Sequence, residues 1–195
     1  MSENDKQVPS ALVAVGTKAL TVRSATLVKR GLALAKSLQP DLALPHYNLG
    51  IALKDNGDLD GAIAEYRIAI RLQPGMAAAH HNLAVALHDK GDWDGATAEY
   101  RTAIHLRPDY ALAHLGLGNA LNDKGDLDGA IAEYRTAIRL APDLALAHCG
   151  LGNALEMKGD RLGALGEVEK ARELDPNDSS IAEAYERIRR KAGNG

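Results

Sequence analysis

The chain has 195 residues, of which 46% are hydrophobic, and its 23 basic and 26 acidic side chains leave a formal net charge of −3. That size and apolar content suffice for a buried core, while the near balance of charge excludes an electrostatic case for nucleic acid or an anionic membrane surface. Ala and Leu dominate, Phe is absent and Trp occurs once, a balance that favours helix over strand, and the single Cys149 excludes an intramolecular disulfide.

The amino-terminal MSENDKQ is acidic and polar where a secretory leader is basic and then apolar. Apolar stretches elsewhere are broken by charge well short of the roughly 18–20 residues that a spanning helix needs. The expectation is a cytoplasmic protein with no membrane insertion, residues 1–8 forming a mobile start. Residues 9–42 carry Gly16, Val28, Leu32, Ala35 and Pro40 in the register of the units that follow, which predicts a degenerate helical hairpin acting as an amino-terminal cap.

Prolines then recur at Pro40, Pro74, Pro108, Pro142 and Pro176, each 34 residues after the last. The segments between them agree in register and predict four units, at 43–76, 77–110, 111–144 and 145–178. Apolar residues at helical spacing, such as Leu49, Ala52 and Leu53 and then Ala62, Tyr66, Ala69 and Ile70, make each unit a pair of helices. Gly57, Gly91, Gly125 and Gly159 break the pair, because glycine adopts the left-handed conformation that closes a helix. Asp58, Asp92, Asp126 and Asp160 follow as caps for the second helix.

Small residues at Gly50, Ala84, Gly118 and Gly152, and at Ala62, Ala96, Ala130 and Ala164, mark where helices approach closely, with Tyr66, Tyr100 and Tyr134 as the bulky knobs between them. The fourth unit departs from this pattern. Arg161 stands at an apolar position and Val168 replaces the tyrosine, which predicts looser packing of its second helix. Residues 179–192 read as one amphipathic helix with a polar face that covers the last unit.

The run H-x-x-L-G-x-x-L from His46 to Leu53, followed by Ala62, Tyr66, Ala69 and Pro74, resembles the tetratricopeptide repeat. The resemblance covers residues 43–178, with His46, His80, His114 and His148 where the family usually has Trp. It implies an all-α fold, a right-handed superhelical solenoid of antiparallel helix hairpins whose concave wall is lined by the first helix of each repeat. The groove residues it implies are Leu44, Tyr47, Asn48 and Ile51, then His81, Asn82 and Val85, then Leu112, Leu115, Asn119 and Asn122, then Leu146, Cys149 and Asn153.

A wall mixing apolar side chains with amides suits an extended peptide or a helix, since asparagine both donates to and accepts from a backbone. Family members that grip chaperone carboxyl termini carry Lys, Arg and Asn on this wall. Here Tyr47, Leu112, Leu115, Gly116, Leu146 and Gly150 stand in those places, so that partner is rejected. Relatives such as O-linked N-acetylglucosamine transferases carry an asparagine ladder. Asn48 and Asn82 look like two rungs of it, which Gly116 and Gly150 interrupt.

The histidine series suggests metal ligation only superficially, because successive hairpins hold the rings about 8–10 Å apart, and helix packing is the better reading. Glu65, Glu99 and Glu133, with Arg67, Arg101 and Arg135 nearby, read as a solvated outer face. Neither a nucleophile with its base, nor paired carboxylates in a cleft, nor a phosphate loop is visible. The expectation is a scaffold or adaptor without enzymatic activity, cofactor or metal, binding a protein or peptide. Self-assembly into an oligomer or filament by end-to-end stacking is the alternative, and a targeting domain of a larger enzyme such as a glycosyltransferase is a third reading.

Overall fold

A computed structural model describes residues 42–192, and the amino-terminal cap expected over 9–42 therefore lies almost wholly outside the described residues, as does the expected mobile start. Among the described residues there are nine helices and no strand: α1 Ala43–Asp55, α2 Leu59–Leu72, α3 Ala77–Asp89, α4 Trp93–Leu106, α5 Ala111–Asp123, α6 Leu127–Leu140, α7 Ala145–Met157, α8 Arg161–Leu174 and α9 Ser179–Ala192. They pair as four antiparallel hairpins, α1/α2 to α7/α8, followed by α9. The architecture is the all-α solenoid.

Local chemistry places each turn. Gly57, Gly91, Gly125 and Gly159 have φ of 79°, 80°, 83° and 87°, the left-handed closure that an L side chain resists. The next residue caps the second helix. Asp58, Asp92, Asp126 and Asp160 accept from the amides of Gly61, Gly95, Gly129 and Gly163 at 2.9–3.0 Å. At the carboxyl end Asp178 starts α9 in the same way, taking the Ser180 and Ile181 amides at 2.8 and 3.1 Å.

One large core cluster runs from Ala62 to Ile188 through the hairpins, and a smaller one of Ala43, Ala69 and Ala79 joins the first two. Tyr66, Tyr100 and Tyr134 are 0%, 3% and 2% exposed, with Ala62, Ala96 and Ala130 buried one turn earlier. First helices touch the next first helix along the stack as well as their chain neighbours, whereas no contact joins one second helix to the next among the described residues. That asymmetry puts the first helices on the inside of the curve.

The fourth hairpin does not pack loosely. Val168, Ala164 and Ala171 are all fully buried. A Cβ on Gly152 would fall 2.6 Å from Val168 Cγ1 and 3.0 Å from the Ala164 carbonyl oxygen, whereas the nearest atoms at Gly50 and Gly118 all belong to tyrosine rings. The smaller knob is thus fully enclosed between the two helices of its hairpin. Arg161 points to solvent, and Leu162 is the most exposed large apolar residue described.

Candidate interaction groove

The wall of first helices holds three kinds of environment. Leu44, Leu112 and Leu146, at one register position of α1, α5 and α7, are 57%, 48% and 49% exposed. Asn48 and Asn119 are also exposed, and Tyr47, Ile51, His81, Asn82, Val85, Asn122 and Asn153 are half-buried. Leu115 and Cys149 are buried members of the core, so these two do not line an open surface. Helical periodicity names the side of a helix, but the next hairpin decides how much of that side it covers.

Upstream, the wall is polar and aromatic. Asn82 Nδ2 donates to the Tyr47 hydroxyl at 3.1 Å, and the Tyr47 ring packs 6.1 Å from that of Tyr66. The His81 ring lies 4.9 Å from Tyr110 and 5.6 Å from Tyr100, and the Arg107 guanidinium stacks 3.3 Å over Tyr110. Burial, with the charges of Arg107 and Lys54 adding to it, pulls His81 down to about 4, so the ring is neutral. Burial likewise pushes the Tyr47 hydroxyl and the Cys149 thiol up, which leaves Cys149 a packing residue and not an activated nucleophile.

Downstream, α9 closes the wall. Arg187 donates to Asn153 Oδ1 at 2.6 Å and to Glu156 Oε2 at 3.0 Å, and Lys191 reaches Glu156 Oε1 at 2.7 Å. Burial opposes the Glu156 charge, but hydrogen bonds from Lys191 and Arg187 overcome it and hold the carboxyl below its ordinary value. The sequence reading missed this role for the closing helix. Its signal was register, since Arg187 lies 34 residues after Asn153 and Lys191 the same distance after Met157.

The interrupted asparagine ladder has a packing cause. A Cβ on Gly116 would sit 2.4 Å from the Tyr100 ring, and one on Gly150 would sit 2.7 Å from the Tyr134 ring. Tyr100 and Tyr134 thus reach across the seam into the space that a side chain at these two positions would take, whereas Asn82 stands at the same register in the hairpin after Tyr66. Asn119, one turn further along, accepts from the Tyr134 hydroxyl at 2.8 Å.

The glutamates read as an outer solvated row are instead half-buried. Glu65, Glu99, Glu133 and Glu167 place Oε2 2.6–2.7 Å from Nδ1 of His46, His80, His114 and His148 within the same hairpin. Each histidine and its glutamate are 19 residues apart, a repeat visible in the sequence whose facing was not. On the exposed side Lys90, Lys124 and Lys158 pair with Asp60, Asp94 and Asp128 of the preceding hairpin, contacts that add little individually. Among the described residues no group of three or more His, Cys, Asp or Glu is arranged to hold a metal ion, and no helix is long and apolar enough to cross a membrane.

A family model described as a tetratricopeptide repeat matches residues 47–111, and a second, described as a TPR repeat, matches residues 118–159. The chain is a tetratricopeptide-repeat protein. Among solved structures it is similar to one described as the crystal structure of MamA, at 26% identity and a TM-score of 0.73, over 79% of this chain and 90% of that one. A MamA double mutant from RS-1 is 25% identical with a TM-score of 0.72, over 80% and 88% of the two chains. MamA 41-end from Desulfovibrio magneticus RS-1 shares the fold at 24% identity and a TM-score of 0.73, over 80% and 88%. No curated protein matches the chain. A solenoid of these repeats is a protein-interaction scaffold in general terms.

Proposed function

We propose that the concave wall captures an extended or helical segment of a protein partner, and that the chain holds this partner without transforming it. The observation that carries the reading is the row of Leu44, Leu112 and Leu146, large apolar side chains left open on the first helices of three hairpins. With about half of each side chain still exposed, covering one such leucine is worth roughly 1 kcal/mol, and a short row adds enough to anchor a segment. Exposed Asn48 and Asn119 lie along the same wall and can pair with a partner's backbone.

The test uses the exposed leucines. Replacing Leu112→Lys together with Leu146→Lys abolishes partner cross-linking from a photoreactive group placed at position 44, with helicity and the melting temperature unchanged. Undiminished cross-linking rules out the groove. Leu115→Lys would not serve, because a buried lysine breaks the core before it reports on binding.

End-to-end stacking is disfavoured by the outer face of α9, where Glu183, Glu186, Arg189 and Arg190 are exposed. Light scattering after size exclusion separates the two readings. A constant mass near 20.7 kDa fits a groove-binding monomer, whereas a mass that climbs with concentration replaces this reading with self-assembly.

A further inference from the structure

Three buried histidines each meet two acceptors. His80 Nδ1 lies 2.6 Å from Glu99 Oε2 and its Nε2 lies 3.2 Å from the Pro74 carbonyl oxygen. His114 repeats this with Glu133 at 2.6 Å and Pro108 at 3.2 Å, and His148 with Glu167 at 2.7 Å and Pro142 at 3.1 Å. The residues are 8%, 8% and 7% exposed.

Carboxylates and carbonyls only accept, while a neutral imidazole offers one donor and one bare lone pair. A neutral ring would therefore set nitrogen and oxygen lone pairs against each other at one of two contacts, both of direct hydrogen-bond length. In a buried site that opposition is costly. Moving a proton to the glutamate would also relieve it, but the glutamate side chains keep 29%, 27% and 31% exposure, so water supports the ionised carboxylate.

We propose that His80, His114 and His148 stand in the folded chain as imidazolium rings protonated on both nitrogens, each a charged strut from one hairpin's closing carbonyl to the next hairpin's second helix. The acceptors on each ring come from two elements: the glutamate on its own hairpin and the proline carbonyl of the preceding connection. Removing the proton turns one donor contact at the seam into an acceptor facing an acceptor. The seam with α9 is built differently, since the position 34 residues after His148 is Ala182.

Imidazole nitrogen NMR on the full chain at about pH 7.5, above the free imidazole value of about 6.5, reads the protonation directly. The expected result is two proton-bearing nitrogens on each of the three rings. In Glu133→Gln the amide donates to Nδ1, so His114 shows one bare nitrogen while His80 and His148 stay doubly protonated. A bare nitrogen on these rings in the unaltered protein overturns the proposal, and so does a His114 that stays doubly protonated in Glu133→Gln. Should that variant fail to fold, the unaltered protein's spectrum still decides.

Discussion

At one register position of the concave wall the first two hairpins carry Tyr47 and His81, and the last two carry Leu115 and Cys149. The upstream pair stays half-buried and gathers polar and aromatic neighbours, with Asn82 on the Tyr47 hydroxyl and Tyr110 and Arg107 beside the imidazole. The downstream pair sinks into the core, where Asn153 makes only a 3.8 Å contact with Cys149 Sγ. The second helices show a parallel contrast between Tyr66, Tyr100 and Tyr134 on one side and Val168 on the other. The Tyr134 ring is flanked by glycines on both sides, Gly118 in its own hairpin and Gly150 in the next, whereas Val168 meets Gly152 and lies with the Ala164 carbonyl close by. The repeat keeps its helix spacing approximately and lets the side chains on either side of each seam adjust together.

The largest effect that would break this contrast comes from Tyr134→Ala. Its ring is buried between Gly118 and Gly150, so truncation leaves a hole flanked by residues with no side chain to fill it. A loss of about 3–5 kcal/mol is expected in urea unfolding. Val168→Ala removes two methyl groups and should lose about 2 kcal/mol. Equal losses at the two positions would mean that the glycines do not exist to receive the ring.

A smaller effect separates the upstream wall from the downstream one by pH. His81 sits at about 4 in the fold against about 6.5 in the unfolded chain, so between those values only the unfolded chain binds the proton. The stability this ring contributes is fully present above about pH 6.5 and is lost as pH falls toward about 4. The part assignable to His81 is on the order of 2 kcal/mol, less than the whole shift implies because the ring keeps some contact with water. His81→Leu, which copies Leu115, should flatten that part of the acid limb in denaturation curves taken at both ends of the window. An unchanged limb would assign the acid sensitivity to other groups.

Much of this fold was legible because a 34-residue period repeats the turn and cap signals four times and the tyrosine knob three times. The glycine turn, the aspartate cap and the tyrosine knob depend on neighbours within a few residues, and they appear where the pattern puts them. The misread features belong to the seams between hairpins and to the pairing inside them. Leu115 and Cys149 look inward on a helical wheel, but the adjoining hairpin buries them. Glu99 and Glu133 look solvated beside arginines until the histidine 19 residues earlier is seen to face them. Gly116 and Gly150 look like missing rungs until a tyrosine from the previous hairpin occupies the space. A period reveals which positions are equivalent, but not what lies opposite each of them.

The smallest effects test that last point with one chemical change at two sites. Alanine gains about 1 kcal/mol of helix propensity over glycine wherever its methyl fits. Gly166 lies in the interior of α8, and a methyl group there would have nothing within 4 Å, so Gly166→Ala should stabilise the chain by about 0.5–1 kcal/mol. Gly150 is also helical, but its methyl would meet the Tyr134 ring, and that ring is too buried to move aside. The overpacking cost of about 1–3 kcal/mol then exceeds the propensity gain, so Gly150→Ala should lower the urea midpoint where Gly166→Ala raises it. If both substitutions raised the midpoint, the tyrosine would have room to yield. Gly150 would then be a dispensable gap in the wall, and the polar ladder of the first two hairpins could be extended into the last two by substitution alone.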